Sequence, residues 1–244
     1  MNKIHAGDCL DIMRQIPDNS IDLVVTSPPY NKGFWSKNRN PNNGFKTKSR
    51  RIDYGVYDDK MEPNKYAEWQ TKVIKECCRI LKPSGSMFYN HTDILNEHQT
   101  RHPLWVHSFP IKQIIVWDRK NTPRLDKSYF FPITEWIFWI KKTSGSRVFF
   151  DRHNSDFNSS VWRVSPDSKN KHSAPFPVSI PLNCIKSCCP KGGVVFDPFM
   201  GSGTTAVASK IMGCNYIGAE LNPQYVEIAN KRIAAVNKIE EEIW

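Results

Sequence analysis

Ile21-Asp22-Leu23-Val24-Val25-Thr26-Ser27-Pro28-Pro29-Tyr30 is the stretch that organises this chain. Its first five residues form a short apolar, β-branched run of the kind that fills a strand buried in a parallel sheet. The next five then stand at that strand's carboxyl end, the rim where ligands of open α/β sheets bind. Two prolines fix the backbone there and remove two N–H donors. The carbonyls of Ser27 and Pro28 and the Ser27 hydroxyl are left as acceptors, and Tyr30 offers a flat face for stacking. Such a pocket suits an exocyclic amino group on a base. A proline-rich turn closing a strand is the plainer reading of the same four residues.

Upstream, Ile4 to Cys9 reads as a strand running into a turn, followed by a helix from Leu10 to Ile16 that stops at Pro17. Asp8 falls at the same rim, as a helix N-cap or as an acceptor for a ligand. Downstream, Pro63 opens a helix with Tyr66, Trp69, Val73, Cys77 and Ile80 at spacings of three or four. A strand from Ser86 to Tyr89 follows it and completes a βαβ unit. Ile111 to Trp117 and Ile133 to Ile140 are strand-like runs that suit a hairpin.

Val194-Val195-Phe196-Asp197-Pro198-Phe199-Met200-Gly201-Ser202-Gly203-Thr204-Thr205 reads as a buried strand, a glycine turn and a helix start. The glycines permit close backbone approach to a ligand, and the helix start presents free N–H groups. No lysine follows Gly203, which excludes a Walker A phosphate loop. A second strand, Cys214 to Ala219, ends in Glu220 about twenty residues beyond the glycines, the spacing of a carboxylate that accepts both ribose hydroxyls of a nucleoside cofactor. The last helix, from Pro223, carries Tyr225, Ile228, Ile233, Val236, Ile239 and Ile243 on one face.

The 244 residues suit one α/β domain, residues 1–244, and the net charge of +10 points to an anionic partner such as nucleic acid. From Asn31 to Asp59 the periodicity lapses. There Lys32, Lys37, Arg39, Lys46, Lys48, Arg50 and Arg51 interleave with Phe34, Trp35, Phe45, Tyr54 and Tyr57. Residues 31–60 thus read as a DNA-facing loop that orders on binding, with a solvated charge run as the rival. No window approaches the length of a membrane span, and a cytoplasmic protein is expected. Seven cysteines without paired ligand spacing read as reduced thiols, and His91, His98, His102 and His107 make no convincing ligand set, so no metal is expected.

Ser27-Pro28-Pro29-Tyr30 resembles the catalytic loop of DNA amino-methyltransferases, which use S-adenosylmethionine to methylate cytosine N4 or adenine N6. His172-Ser173-Ala174-Pro175-Phe176-Pro177 is similar to the segment that lies against the methionine end of that family's cofactor. The resemblance covers most of the chain. It implies a Rossmann-like class I methyltransferase: a central, mostly parallel sheet with a terminal antiparallel hairpin, helices on both faces, and the circularly permuted motif order of the β group. It implies a catalytic set of Ser27, Pro28, Pro29 and Tyr30. For S-adenosylmethionine it implies Asp8, Cys9, His172, Ser173, Phe176, Phe196, Asp197, Pro198, Phe199, Gly201, Ser202, Gly203, Thr204, Glu220 and Leu221. Duplex DNA falls to Lys32, Trp35, Lys37, Arg39, Lys46, Lys48, Arg50, Arg51, Arg119, Lys120 and Arg124, with residues 119–131 and 143–171 as short target-recognition segments.

Serine at the first tetrad position points within the family to cytosine N4, with adenine N6 as the alternative. A DNA-binding module that has lost catalysis is the reading of another class, and an RNA or protein amine is a third substrate option. Carbon-5 chemistry is disfavoured because that family's Pro-Cys pair is absent and Cys189-Pro190 stands in the reverse order. A cognate restriction endonuclease and a homodimer are the further partners the family suggests.

Overall fold

The computed structural model describes residues 1–32, 59–95, 100–120, 130–166 and 177–236. An eight-stranded sheet forms its centre. In chain order its strands are β1 (Lys3–Ala6), β2 (Ile21–Thr26), β3 (Leu81–His91), β6 (Ile111–Asp118), β7 (Thr134–Lys141), β8 (Val161–Arg163), β9 (Val194–Asp197) and β10 (Asn215–Glu220). A separate short pair consists of β4 (Ile94–Leu95) and β5 (Thr100–Arg101). The helices are α1 (Cys9–Arg14), α2 (Pro63–Ile80), α3 (Ser179–Cys188), α4 (Thr204–Ile211) and α5 (Pro223–Ala235), with a 3-10 turn at Leu104–Ser108.

The spatial order is β1-β10-β9-β2-β3-β7-β6-β8. From β1 through β3 every neighbour is parallel, whereas β7 runs antiparallel to both β3 and β6. The expected parallel sheet with an antiparallel hairpin is therefore present. The hairpin does not end the sheet, however, because β8 pairs in parallel with β6 and takes the edge. Trp162 of β8 is buried against Phe88 and Phe157, so residues 143–166 are docked onto the sheet over part of their length.

Strand β2 is buried at every position because layers of helices cover both faces. Its side chains alternate. Val24 joins Met13, Ile74, Met87, Phe138 and Phe196 in one core. Leu23 and Val25 join Phe88, Val195, Ile180, Cys184 and Ala208 in the other. Asp22 interrupts this apolar run, buried at 6% exposure. Lys82 Nζ donates to both its oxygens at 2.8 Å, and the Val194 amide donates to Oδ2 at 2.9 Å. The carboxylate thus ties the starts of β2, β3 and β9 and keeps the buried charge satisfied.

Because β1, β10, β9, β2 and β3 are parallel, their carboxyl ends share one rim. Antiparallel β7 delivers its amino end to that same rim, where Trp136 pairs with His91 and Glu135 with Trp117. The site is assembled there. Among the described residues no helix is long and apolar enough to cross a membrane, and no group of three or more His, Cys, Asp or Glu gathers to hold a metal ion.

Candidate active site

The tetrad leaves the end of β2 where Thr26 pairs with Tyr89 of β3. Ser27 Oγ lies 2.8 Å from Tyr30 Oη, which donates to Glu135 Oε2 at 3.0 Å. Asn90 Nδ2 donates to Tyr30 Oη at 2.5 Å and to Glu135 Oε2 at 2.9 Å. Arg119 then donates to Glu135 Oε1 at 2.9 Å. Asn90 and Glu135 are both at least nine-tenths buried, at 1% and 5% exposure. Sequence reasoning missed both, because an asparagine near the end of β3 and a single acid ahead of the apolar run Trp136 to Ile140 belong to no motif. Arg119, expected to face DNA, is turned inward to this pair because its strand end meets β7 at the rim.

The backbone of the tetrad is equally constrained. Tyr66 Oη donates to the Pro29 carbonyl at 2.6 Å and lies 3.0 Å from His91 Nε2. His91 Nδ1 lies 2.8 Å from the Thr92 carbonyl, and complete burial lowers the imidazole pKa to about 3, so the ring is neutral. Among the described residues no side chain or loop amide donates to the carbonyls of Ser27 and Pro28. The expected open stacking face of Tyr30 is not available here. The ring is only 7% exposed, with Lys32 Nζ over it at 4.5 Å and His91 packed at 4.8 Å.

One strand further, β9 leads into the glycine turn. Gly201 and Gly203 have φ of +52° and +85°, the left-handed region that glycine tolerates without strain. A Cβ at Gly203 would also stand 2.7 Å from Ala229 Cβ, so this residue lets α4 start directly against α5. Gly201 N donates to Glu220 Oε2 and Asn222 N to Oε1, each at 2.8 Å. Burial raises the Glu220 pKa against the pull of these amides. Leu221 beside it is 40% exposed. Next to β10, the exposed Asp8 caps α1, its Oδ1 accepting from Leu10 N at 2.8 Å.

Several expected cofactor residues have other tasks in this arrangement. Phe196 is fully buried in the core, and Cys9, the first residue of α1, is buried with its thiol pushed up to about 12. Ser202 and Thr204 are held by Arg232, whose guanidinium donates to their hydroxyls at 2.7 and 3.3 Å. Pro198 is buried, and Phe199 packs edge-on against Trp69 at 5.6 Å. Lys120 is exposed beside Asp118. Trp35, Lys37, Arg39, Lys46, Lys48, Arg50, Arg51, Arg124, His172, Ser173 and Phe176 lie outside the described residues, as do Ile239 and Ile243.

Asp197 is a structural tie. Its Oδ1 accepts from Thr26 Oγ1 at 2.7 Å and Phe199 N at 3.0 Å, and its Oδ2 accepts from Thr205 Oγ1 at 2.7 Å. Complete burial outweighs these bonds and raises its pKa from 3.8 to about 6. The folded protein holds this proton more tightly than the unfolded chain, so the associated stability is present at low pH and lost as pH rises through about 6. Asp197→Asn keeps the oxygen for Thr26 and Phe199 and donates to Thr205, whose own proton is free for the Val25 carbonyl. Urea unfolding between pH 4 and 7 is expected to show that the variant removes about 1–3 kcal/mol of the wild-type decline.

Residues 21–231 match the DNA methylase family of N6/N4 methyltransferases. Type II methyltransferase M.BglII of Bacillus subtilis is 30% identical over 266 residues, spanning 94% of this chain and 68% of that protein. PvuII DNA methyltransferase (cytosine-N4-specific) superposes with a TM-score of 0.74 at 18% identity, over 98% of this chain and 90% of that one. M1.HpyAVI, solved as a complex with SAM, superposes with a TM-score of 0.64 at 22% identity, over 96% and 99%. These two likenesses establish the class I methyltransferase fold. By its sequence match and its sheet, the chain belongs to the N6/N4 DNA methylase family.

Proposed function

We propose that the protein transfers a methyl group from S-adenosylmethionine to the exocyclic N4 amine of cytosine in duplex DNA. The observation that carries this reading is the Ser27 hydroxyl, held at the β2 rim by a buried network beside the Ser27 and Pro28 carbonyls, which accept from no side chain or loop amide among the described residues. That is a cluster of acceptors waiting for a donor, and an amine supplies two hydrogens.

The residues around Glu220 fit the cofactor. Each Glu220 oxygen accepts one backbone amide, and each has a second lone pair for one of two vicinal ribose hydroxyls. Leu221 offers apolar surface for an adenine, and Asp8, across β1 from it, offers an acceptor for the adenine amine. When bound, S-adenosylmethionine supplies an electrophilic methyl group on a sulfonium. Ser27 Oγ and the Pro28 carbonyl accept the amine hydrogens, aim the nitrogen lone pair and relieve the positive charge that develops there. The base must leave the duplex stack to reach them. Stacking on Tyr30 then requires Lys32 to swing from the ring, where a DNA phosphate is its natural destination.

The tetrad strand precedes the glycine-turn strand in the chain although the two are neighbours in the sheet, which supports the permuted β-group order. Serine in the tetrad and the fold likeness to a cytosine-N4-specific enzyme support cytosine over adenine. Since M.BglII is a Type II methyltransferase, a cognate restriction endonuclease is the expected companion. The test is mass spectrometry of nucleosides from DNA incubated with protein and S-adenosylmethionine. N4-methylcytosine is expected. N6-methyladenine would overturn the base, and no methylated base on DNA of varied sequence would favour a binding module.

A further inference from the structure

We propose that Glu135 sets the direction of hydrogen-bond donation in the catalytic pocket and so makes Ser27 an acceptor for an amine. This rests on the base-amine reading above. A serine hydroxyl is ambivalent, since it can donate or accept. Its role is decided by its neighbour Tyr30 Oη, 2.8 Å away, which has a single proton to give. Glu135 takes that proton: Tyr30 Oη donates to Glu135 Oε2 at 3.0 Å, and a carboxylate oxygen paired with an arginine is a stronger acceptor than a hydroxyl. Tyr30 Oη is then an acceptor toward Ser27, and the Ser27 proton turns inward to it. Asn90 Nδ2 donates to one lone pair of Ser27 Oγ at 3.4 Å, and the other is left for the substrate.

Asn90 enforces the same sense. Its amide nitrogen donates to Tyr30 Oη and Glu135 Oε2, and flipping the amide would set its oxygen against the carboxylate at 2.9 Å. Arg119, at 2.9 Å from Glu135 Oε1, sets a positive charge against this buried carboxyl group and holds its other oxygen toward Tyr30. Tyr30, Asn90 and Arg119 come from the β2 loop, β3 and the end of β6, so each element around Glu135 contributes to one polarity. A pocket set this way accepts an amino group and opposes a base that presents a carbonyl oxygen at the same place. Glu135 is a positioning residue, acting through Tyr30 and Ser27.

Glu135→Gln is nearly isosteric but cannot keep the arrangement. With its amide nitrogen toward Tyr30 the chain reverses and Ser27 donates outward; with its oxygen there, the nitrogen faces the Arg119 guanidinium. The experiment measures single-turnover methyl transfer to DNA by wild type, Glu135→Gln, Tyr30→Phe and the double variant, with S-adenosylmethionine affinity by calorimetry. Glu135→Gln is expected to slow transfer about 30- to 100-fold with cofactor affinity within about twofold of wild type. In the double variant Glu135→Gln adds less than about threefold to Tyr30→Phe, because its route through the hydroxyl is gone.

A Glu135→Gln rate within about threefold of wild type overturns the proposal. So does a loss that multiplies fully with that of Tyr30→Phe, or one matched by a loss of cofactor affinity, since both describe a residue that only holds the fold. Wild-type protein that methylates no base takes down the proposed function and this inference together; active wild type with an equally fast Glu135→Gln takes down the inference alone.

Discussion

Ser27→Ala is expected to slow single-turnover methyl transfer about 100- to 1,000-fold, the cost of removing one preorganised polar group from a site of developing charge. The Pro28 carbonyl survives the change, so transfer is weakened and not abolished. Cofactor affinity is expected to hold, since Ser27 follows the end of β2 and Glu220 ends β10, with β9 between the two strands. The substitution removes one oxygen that is partly exposed, and unfolding free energy should fall by no more than about 1 kcal/mol. Radiolabelled methyl transfer together with urea unfolding checks both halves. A rate unchanged by Ser27→Ala would leave the tetrad as a mere turn. Tyr30→Ala is the poorer probe, because it empties a buried aromatic site and strands Asn90 and Glu135, at a cost of about 3–5 kcal/mol to the fold.

Glu220→Ala is the second large effect, expected to weaken S-adenosylmethionine binding about 100-fold or more. Two hydroxyl-to-carboxylate bonds contribute about 1.5–3 kcal/mol each, and each 1.4 kcal/mol is tenfold. The substitution also releases the Gly201 and Asn222 amides, which loosens the turn itself. Glu220→Gln keeps an acceptor for one of these and is expected to lose less. Calorimetric titration separates the two variants. Full affinity in Glu220→Ala would move the cofactor away from the glycine turn.

Local chemistry made much of this protein legible. The apolar, β-branched run Ile21 to Val25 predicts a strand buried in a parallel sheet, and β2 is buried at every position, with Asp22 as its one charged residue. Two prolines end it, glycines with left-handed backbone open α4, and Pro63 starts α2 with Glu62 as its cap. The tetrad, the glycine turn and Glu220 were placed on strand ends in the sequence, and in the fold they stand on one rim. Smaller errors were local too: α1 ends at Arg14 because Gln15 and Ile16 close a tighter turn, and β3 begins at Leu81 because its first residue already pairs with Ile21.

What the sequence determined by itself is therefore the set of elements and the residues at their ends, since periodicity, caps and turns are written within a few positions of each other. Sheet order and register were decided only in three dimensions. They set Glu135 of β7 against Tyr30 and Asn90, turned Arg119 from an expected DNA contact into an ion-pair partner, and closed Asp22 onto Lys82 and the Val194 amide. The physical reason is that burial makes a polar group seek whichever partner the packing brings near, and a strand's own pattern does not specify its neighbour.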